Sequence, residues 1–521
     1  MQRPLGAQIS HMLKSRGVEV IFGIPGVHNI EMYRGIEEAG LTHILARHEQ
    51  GAGFMADGYA RATGRPGVAF VITGPGLCNI MTPMGQAYSD SVPLLVISSC
   101  LDETAATRGQ LHQMRDQRAA AATVCDWSEE ARTPEAAYAL IDRALMEFKF
   151  GRPRPKHIQI PISVLGAPAA PPGPAPAGYI DRQIAMRGIF ERILQAKRPL
   201  FILGGGARAC GYPANEALRK LKAASFETFA GRGVAGSHAL NFGSYLARPD
   251  AADILAEADV VVLVGTELAE TDLWRTRSGI RGTCIQVDID PASFRPEAGI
   301  VLPCRAEEFF ERLLEQLDGH TPIGEWDAAR VRSLKKRWRA QIESERPGIL
   351  AVADALRKAL PELTTIYSDM TQFAYAAQEA WPMTRPGFWH HPTGFGTLGY
   401  ALPAAIGGAV ARPDLPTIAI AGDYGFQYTI QELGTAVELG LPLPILIWDN
   451  AKLGEIEDSM TAAQIAPNAV VARNPDFLAL ARAYGAHAAQ PATLEDLQRE
   501  VQTALSAARP TLIRMTPALT A

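Results

Sequence analysis

The sequence predicts an α/β protein with three doubly wound domains, each built on a mostly parallel sheet. Two observations lead to this fold class. Short apolar runs alternate with helical patterns along the chain, and continuous runs of this kind are typical of parallel strands buried on both faces. The 521 residues are also too many for one hydrophobic core. We therefore divide the chain into domains at residues 1–165, 179–318 and 346–521.

Two segments set these boundaries. Residues 166–178 are too rich in Pro for a helix or a central strand and predict an extended spacer. A charged helical stretch over residues 328–345 precedes the third domain. The first and third domains share one plan, in which an apolar run, a Gly-containing turn, a helix and a second apolar run follow each other. In the central domain the run 199–203 ends in three glycines, but this is only a weak signal for a nucleotide, so we expect a structural role.

The composition is that of a globular protein without a nucleic-acid or membrane partner. Apolar residues make up 47% of the chain and charged residues 20%. A net charge of −5 offers no basic surface to nucleic acid or anionic lipid. No stretch approaches the ~20 apolar residues that span a bilayer, and the N-terminus resembles an amphipathic helix rather than a signal peptide. Six scattered cysteines without a CxxC pair predict free thiols and a cytoplasmic protein.

Polar side chains follow two apolar runs of the third domain. Asp423 comes after the run 417–421, and Asn450 comes after the run 444–448. Because ligands bind at the carboxyl ends of parallel strands, we expect the two side chains to lie side by side at one sheet edge. Carboxylate and amide oxygens are the ligands that Mg²⁺ selects, and the ion would in turn hold a phosphate-bearing cofactor. The alternative is an ordinary βαβ unit with a polar turn.

Four further motifs accompany this pair in a fixed order. They are Phe22-Gly-Ile-Pro-Gly-Val-His28, Ala46-Arg-His-Glu-Gln-Gly-Ala52, Thr73-Gly-Pro-Gly-Leu-Cys-Asn79 and Gly394-Phe-Gly-Thr-Leu-Gly-Tyr-Ala-Leu-Pro-Ala-Ala405. With the 422–450 segment they resemble the acetolactate synthase-like thiamine-diphosphate enzymes, over essentially the whole chain. The resemblance implies pyrimidine-binding, central and pyrophosphate-binding domains, with thiamine diphosphate and Mg²⁺ as cofactors. The chain departs from that family at Tyr424, normally a small residue, and at Asp449, normally Asn.

The resemblance also implies roles for individual residues. Glu49 would be catalytic, because the family's glutamate hydrogen-bonds the aminopyrimidine of the cofactor. Metal ligands would be Asp423, Asn450 and the carbonyl of Lys452. Candidate proton carriers or substrate-orienting groups near the active-site segments are His28, His112, Gln113 and His391, although a lone His is more often structural. Cofactor contacts would come from Glu49, Gln372, Gly396, Leu398, Gly422, Asp423, Tyr424, Gly425 and Asn450; Leu398 could equally be a core residue, and Gln372 could lie in a surface loop.

For activity, the resemblance implies non-oxidative decarboxylation of a 2-oxo acid, with the active sites of a homodimer or homotetramer at the subunit interface. Segments such as Gly23-Ile-Pro-Gly-Val-His28 resemble a narrower subgroup, the 2-ketoarginine decarboxylases, whose substrate is 5-guanidino-2-oxopentanoate. Its guanidinium would meet Glu455 or Asp458, since such forks pair with carboxylates. One alternative is an acetolactate synthase-type carboligase. The other is a degenerate, non-catalytic relative, which the bulk of Tyr424 near the diphosphate would favour.

Overall fold

The computed structural model describes residues 2–102, 108–176, 186–471 and 473–520. Three separate parallel sheets, each flanked by helices, confirm the predicted fold class. Alternate side chains of each sheet pack into cores on opposite faces: in the first sheet Phe22 belongs to one buried cluster and Ile21 to another. Within the described ranges, no helix is both long and apolar enough to cross a membrane.

The first and third sheets have six strands each and the same strand order. In spatial order, the first sheet comprises Thr42–Leu45, Val20–Gly23, Gly67–Val71, Leu94–Cys100, Lys156–Pro161 and Trp127–Glu130. The third sheet comprises Trp389–His390, Thr365–Ser368, Thr417–Gly422, Pro444–Trp448, Thr511–Met515 and His487–Ala489. The shared plan that the sequence suggested is therefore a shared topology.

Helices connect these strands and cover the sheets. Those of the first domain are Leu5–Ser15, Ile30–Tyr33, Glu49–Thr63, Pro75–Asp90, Gln117–Ala122, Pro134–Phe150 and Ile162–Gly166. Those of the third domain are Ile349–Ala359, Gln372–Ala380, Ala401–Ala411, Asp423–Tyr428, Glu432–Glu438, Gly454–Ala462, Phe477–Ala483 and Leu494–Ala504, with a 3₁₀ turn at Pro517–Thr520.

The central sheet has five parallel strands, in the order Ala224–Glu227, Pro199–Leu203, Val260–Val264, Thr283–Val287 and Ile300–Leu302. Its α-helices are Arg187–Leu194, Gly211–Leu221, Ala251–Glu257, Glu270–Leu273 and Ala306–Gln316, with 3₁₀ turns at Gly205–Cys210 and Pro291–Ser293. The helix Ala328–Glu345 then leads to the third domain, where the charged stretch predicts it. A cavity of about 260 Å³ lies beside the glycine turn after Pro199–Leu203.

The Pro-rich segment is only partly the extended spacer that the sequence predicts. Gly166 ends a helix, and Pro168–Ala169 forms a short antiparallel strand pair with Arg3–Pro4. Because Pro lacks an N–H, it is tolerated at a sheet edge of this kind. Residues 177 and 178 of the predicted spacer lie outside the described residues.

The first and third domains contact each other through two closely packed helices, Glu49–Thr63 and Ala401–Ala411. A Cβ atom at Gly58 would lie 2.1 Å from the carbonyl oxygen of Ala404, so only glycine allows the two backbones to approach this closely. Asp57, fully buried, accepts hydrogen bonds across this contact from Tyr400 Oη (2.9 Å) and within its own helix from Arg61 Nε (2.6 Å). The packing fixes the helix that begins at Glu49.

Candidate active site

Glu49 is the first residue of the helix Glu49–Thr63 and is buried, with 9% of its surface exposed. His48 caps this helix, because its Nδ1 accepts a hydrogen bond from Gln50 N (3.1 Å). The carboxylate accepts a hydrogen bond from Asn79 Nδ2 (2.9 Å), a residue of the Thr73–Asn79 motif whose side chain the sequence did not single out. A buried carboxyl at a helix start, with one side-chain partner among the described residues, is suited to sharing a proton with a ligand nitrogen.

His28 and His112 come together although 84 positions separate them (112 − 28 = 84). Their ring centroids are 4.9 Å apart in an edge-to-face arrangement. The Nδ1 atoms of both rings are buried, and neither has a hydrogen-bond partner among the described residues. Burial, followed by the charge of His112, lowers the pKa of His28, so its imidazole is neutral near pH 7. The pair can therefore offer ring nitrogens to a ligand.

The loop that carries His112 rests on the Thr73-Gly-Pro-Gly turn. His112 has a positive φ of 62°, and a Cβ atom at Gly74 (φ 72°) would lie 2.4 Å from its carbonyl oxygen. Gln113 is exposed, and its Oε1 accepts hydrogen bonds from Gly109 N (2.8 Å) and Gln110 N (3.3 Å). Gln113 thus folds back on its own loop, whereas the neighbouring histidine turns to His28.

Asp423 and Asn450 lie at the carboxyl ends of neighbouring parallel strands, as predicted. The strands Thr417–Gly422 and Pro444–Trp448 pair in register, with Gly422 opposite Trp448. Asp423 begins a helix and is buried. Burial raises its pKa, and so does the nearby charge of Asp449, while a hydrogen bond from Asn474 acts in the opposite direction.

Asp449, the residue that departs from the family pattern, has two side-chain partners. Arg514 Nε donates to its Oδ2 at 2.6 Å, and Asn474 Nδ2 donates to its Oδ1 at 2.9 Å. The same Asn474 nitrogen donates to Asp423 Oδ2 at 2.7 Å, so it bridges the two carboxylates. Arg514 therefore balances the extra negative charge that Asp449 brings close to Asp423.

Gln372 lies beside the second metal candidate. Its Oε1 accepts a hydrogen bond from Asn450 Nδ2 at 3.1 Å, and its Nε2 donates to Asp458 Oδ2 at 3.4 Å. This leaves Asn450 Oδ1 facing its own loop, where Lys452 N donates to it at 3.2 Å. The ammonium group of Lys452 pairs with Glu457 at 2.5 Å and, being a cation, cannot bind a metal ion, so the predicted ligand is the backbone carbonyl.

Tyr424 does not strain the turn. It is half-buried within the right-handed helix Asp423–Tyr428, and the tight position is its neighbour Gly425. A Cβ atom at Gly425 would lie 2.4 Å from Oδ2 of the buried Asp369. Gly396 has a positive φ of 68° with open space beside it, since a Cβ atom would meet only Met370 Cε at 3.5 Å.

Leu398, the predicted apolar contact, is half-buried two residues beyond Gly396, and Gly422 is the buried last residue of its strand.

The other candidates from the sequence lie elsewhere or are already paired. His391 is buried, accepts or donates a hydrogen bond with Ser368 Oγ at 2.9 Å, and lines the cavity beside the central domain rather than the histidine pair. Glu455 forms a two-pronged ion pair with Arg346 (3.0 and 3.1 Å).

The residues at the third sheet fit a magnesium diphosphate group. Asp423 supplies a buried carboxylate and Asn450 an amide oxygen from the adjacent strand end, the hard oxygen donors that Mg²⁺ takes. In the described part of the chain no group of three or more His, Cys, Asp or Glu side chains could hold a metal. The candidate ion would therefore keep water, phosphate oxygens or backbone oxygens as its remaining ligands, as Mg²⁺ usually does.

Comparison with known proteins identifies the class. Residues 3–120 match the family "Thiamine pyrophosphate enzyme, N-terminal TPP binding domain", residues 186–313 its central domain, and residues 369–515 its C-terminal TPP binding domain. The chain belongs to the thiamine pyrophosphate enzyme family. The predicted order of pyrimidine-binding, central and pyrophosphate-binding domains is thereby confirmed.

Similarity to individual proteins indicates which members of this family the chain resembles. The chain is 44% identical to the probable 2-ketoarginine decarboxylase of Pseudomonas aeruginosa, over 98% of this chain and 93% of the relative. It is 29% identical to the acetolactate synthase isozyme 3 large subunit of Escherichia coli, over 98% and 93%, and 28% identical to the acetolactate synthase large subunit of Haemophilus influenzae, over 97% and 93%. The predicted thiamine-diphosphate-dependent enzyme of the decarboxylase and acetolactate synthase group is confirmed.

Proposed function

We propose that the protein is a Mg²⁺- and thiamine-diphosphate-dependent decarboxylase of 5-guanidino-2-oxopentanoate. The observation that carries this proposal is the chain of contacts from Asn450 through Gln372 to Asp458. It places an exposed carboxylate two side chains away from the candidate metal ligand. A carboxylate there suits a substrate with a guanidinium end, and the 44% identity with a probable 2-ketoarginine decarboxylase supports the same choice.

Asp458 is a better partner for that guanidinium than Glu455. Glu455 already receives both prongs of Arg346, an arginine of this chain, and binding a second guanidinium there would require that pair to open. Asp458 is exposed and, among the described residues, accepts one long hydrogen bond, from Gln372. We therefore assign substrate recognition to Asp458 and the support of the helix Gly454–Ala462 to Glu455.

The site residues have distinct roles in this proposal. Thiamine diphosphate supplies the electron sink that accepts the electrons of the bond to CO₂. Asp423, Asn450 and the carbonyl of Lys452 would hold the diphosphate through Mg²⁺, and Gln372 and residues 396–398 would contact the cofactor. Glu49 would share a proton with the aminopyrimidine, and the helix packing holds its backbone in place.

The histidine pair supports decarboxylation over carboligation. After CO₂ leaves, a decarboxylase must deliver a proton, whereas a carboligase delivers a second carbonyl compound. His28 and His112 have ring nitrogens without partners among the described residues, and an imidazole that takes up a proton from water can pass it to the carbanion and return to its neutral form. The Oε1 atom of Gln113 already accepts hydrogen bonds from its own loop, so binding substrate through this atom would require those bonds to open.

The two half-sites would meet across a homodimer, or within a homotetramer built from such dimers. Exposed apolar side chains flank both: Val27, Ile30 and Leu111 beside the histidine pair, and Phe395, Tyr428, Ile456 and Val471 along the third domain. Exposed apolar side chains grouped in this way mark protein interfaces. A second copy of the chain would cover them and bring Glu49 to the partner's metal edge. Sedimentation equilibrium of the wild-type protein and of Val27→Asp tests this assembly; a wild-type monomer would contradict it.

We also infer a cytoplasmic location, supported by six free cysteines, of which five are buried and Cys78 is exposed. A reducing compartment suits such thiols.

The domain boundaries 1–165, 179–318 and 346–521 remain our proposal for where stable fragments begin and end. Limited proteolysis followed by mass spectrometry checks them, because linkers are cleaved before folded domains.

A screen of 2-oxo acids with CO₂ release as readout tests the function. We expect 5-guanidino-2-oxopentanoate to be turned over fastest and Glu49→Gln to be inactive. Asp458→Asn should raise KM for that substrate and leave an uncharged 2-oxo acid unaffected, whereas Glu455→Gln should alter both substrates alike. Dominant carbon–carbon bond formation from pyruvate would favour the carboligase instead. Failure to bind thiamine diphosphate and Mg²⁺ in calorimetry would favour a non-catalytic relative.

A further inference from the structure

Glu432 is a fully buried carboxylate at the contact between the first and third domains. It begins the helix Glu432–Glu438 of the third domain, but its partners are mainly in the first. Arg47 N donates to both carboxylate oxygens at 3.1 Å, and His48 N donates to Oε1 at 3.0 Å. Thr435 Oγ1 donates to Oε2 at 3.0 Å. The carboxylate therefore holds two consecutive backbone amides of another domain.

Those two amides immediately precede Glu49. His48 is the cap of the helix that Glu49 begins, so the amide of the cap residue is itself held by Glu432. The first turn of that helix is shaped around the carboxylate: a Cβ atom at Gly51 would lie 2.2 Å from Glu432 Oε1. Glycine at position 51 is required for this approach.

The free-energy penalty for burying the Glu432 carboxylate indicates that this residue does more than fill space between the two domains. Burial raises the pKa of Glu432 to about 7, while the amide donors of Arg47 and His48 favour the charged form. A buried carboxylate is expensive compared with an apolar side chain of similar size. Hydrogen bonds from backbone N–H groups to a carboxylate are directional, so they fix a loop more tightly than apolar contacts do.

We propose that Glu432 is a positioning residue that fixes the carboxyl group of Glu49 by holding the amides of Arg47 and His48. This inference rests on the proposed role of Glu49 as the proton partner of the aminopyrimidine. Glu432 itself touches neither cofactor nor substrate. Its effect is on where the Glu49 carboxyl lies, and a displacement of about 1 Å of a positioned group can cost about 100-fold in rate.

The test measures how fast the thiazolium C2 proton of bound thiamine diphosphate exchanges for deuterium, together with cofactor affinity by calorimetry. The variants are Glu432→Ala, Glu432→Gln and Gly51→Ala, in the full-length protein with Mg²⁺. We expect Glu432→Ala to slow exchange by about 10- to 100-fold with little change in cofactor affinity. Glu432→Gln, which keeps one acceptor oxygen, and Gly51→Ala should have intermediate effects.

Glu438→Gln is the matched control. Glu438 lies on the same helix and pairs with the same Arg47, but through the exposed guanidinium rather than the backbone amide. Its exchange rate should equal that of the wild type. Wild-type exchange in Glu432→Ala, or in Glu432→Gln if the alanine variant does not fold, would overturn the inference. Wild-type exchange in Glu49→Gln would instead refute the proposed role of Glu49, so the two failures are distinguishable.

Discussion

The first and third domains have the same six-strand order, yet the carboxyl ends of their sheets carry different chemistry. In the first domain the functional groups are left partly free: the Nδ1 atoms of His28 and His112 have no partner among the described residues, and Glu49 has one side-chain donor. In the third domain Asp423 and Asn450 are held by neighbouring side chains. In the proposed function, one scaffold thus supports a half-site for proton transfer and a half-site for anchoring.

This difference shows what each kind of chemistry requires. A group that moves protons needs a ring nitrogen or carboxyl oxygen that is not already bonded, in a position fixed by the backbone. A group that anchors an ion needs oxygens whose orientation is fixed before the ion arrives. Substitutions in the two half-sites should therefore have different signatures, one in rate and the other in affinity.

The largest effect is expected from Glu49→Gln. It should lower kcat by about 10²- to 10⁴-fold, the range for a positioned acid–base group, because an amide can neither take up nor release a proton near pH 7. Calorimetry should show cofactor affinity within about threefold of the wild type, since the anchoring residues are untouched. Loss of cofactor binding in this variant would remove the distinction between the two half-sites.

Asp423→Ala should show the opposite signature. Removing the carboxylate takes away a direct metal ligand, so affinity for thiamine diphosphate in the presence of Mg²⁺ should fall by more than about 100-fold, beyond the usual cost of losing a supporting partner. Titration calorimetry measures it, and a far-ultraviolet circular dichroism spectrum identical to the wild type confirms folding. Unchanged affinity would place the metal elsewhere.

His28→Asn and His112→Asn address the free nitrogens of the first half-site. Each should lower the rate of aldehyde formation by about 10- to 100-fold, the lower part of the range for acid–base catalysis, while leaving cofactor affinity unchanged. Product analysis is informative as well, because slower protonation should increase the share of carboligation product when a second carbonyl compound is present. Wild-type rates in both variants would make the pair structural.

Arg514 and Asp449 allow a test of charge compensation in the half-site of the third domain. Arg514→Gln leaves the buried Asp449 without its counter-ion and should destabilise the protein by about 1–3 kcal/mol, towards the lower end because Arg514 is partly exposed. The double variant Arg514→Gln with Asp449→Asn should recover most of that loss. Urea unfolding of the four proteins of the cycle measures the coupling. Additive losses in the cycle would mean that the interaction between Arg514 and Asp449 does not contribute to stability.

The last prediction concerns the pH dependence of stability and Asp369, whose buried carboxyl accepts hydrogen bonds from Met370 N and Gly399 N near Gly425. Burial raises its pKa to about 7 from a usual 3.8. The folded state therefore binds this proton more tightly than the unfolded state, so the group's contribution to stability is lost as pH rises from about 4 to 7. Asp369→Asn should make the slope of the unfolding free energy against pH less negative, by up to about 1.4 kcal/mol per pH unit. Equal slopes between pH 5 and 7 would contradict this.

The sequence predicted which strand ends lie together in the site, but it did not predict the contacts that loops and distant side chains make. Asp423 and Asn450 were predicted as neighbours because consecutive buried strands place their ends together. The His28–His112 contact was not, because it depends on two loops meeting. Arg514 had a signal, namely a charge inside the apolar strand Thr511–Met515, but its partner Asp449 is 65 positions away and only the sheet brings them together.

Glu432 and Asn474 illustrate the same limit. Both are polar residues with ordinary local patterns, and their contacts lie 385 and 51 positions away along the chain, at Arg47 and Asp423. Local periodicity places each residue on its helix or loop, but it carries no information on which domain the side chain will meet. The sequence likewise shows Asp449 only as a departure from the family pattern, because the residues that compensate its charge, Asn474 and Arg514, are distant along the chain.

A mixing experiment tests most directly whether one cofactor lies between the Glu49 half-site and the Asp423 half-site of two chains. Glu49→Gln and Asp423→Ala are each expected to be inactive alone. If they are dissociated together and reassembled in equal amounts, half the dimers are mixed, and each mixed dimer has one site with both wild-type halves. We predict recovery of about a quarter of wild-type activity. A mixture as inactive as its components, with mixed dimers shown to be present, would contradict the account.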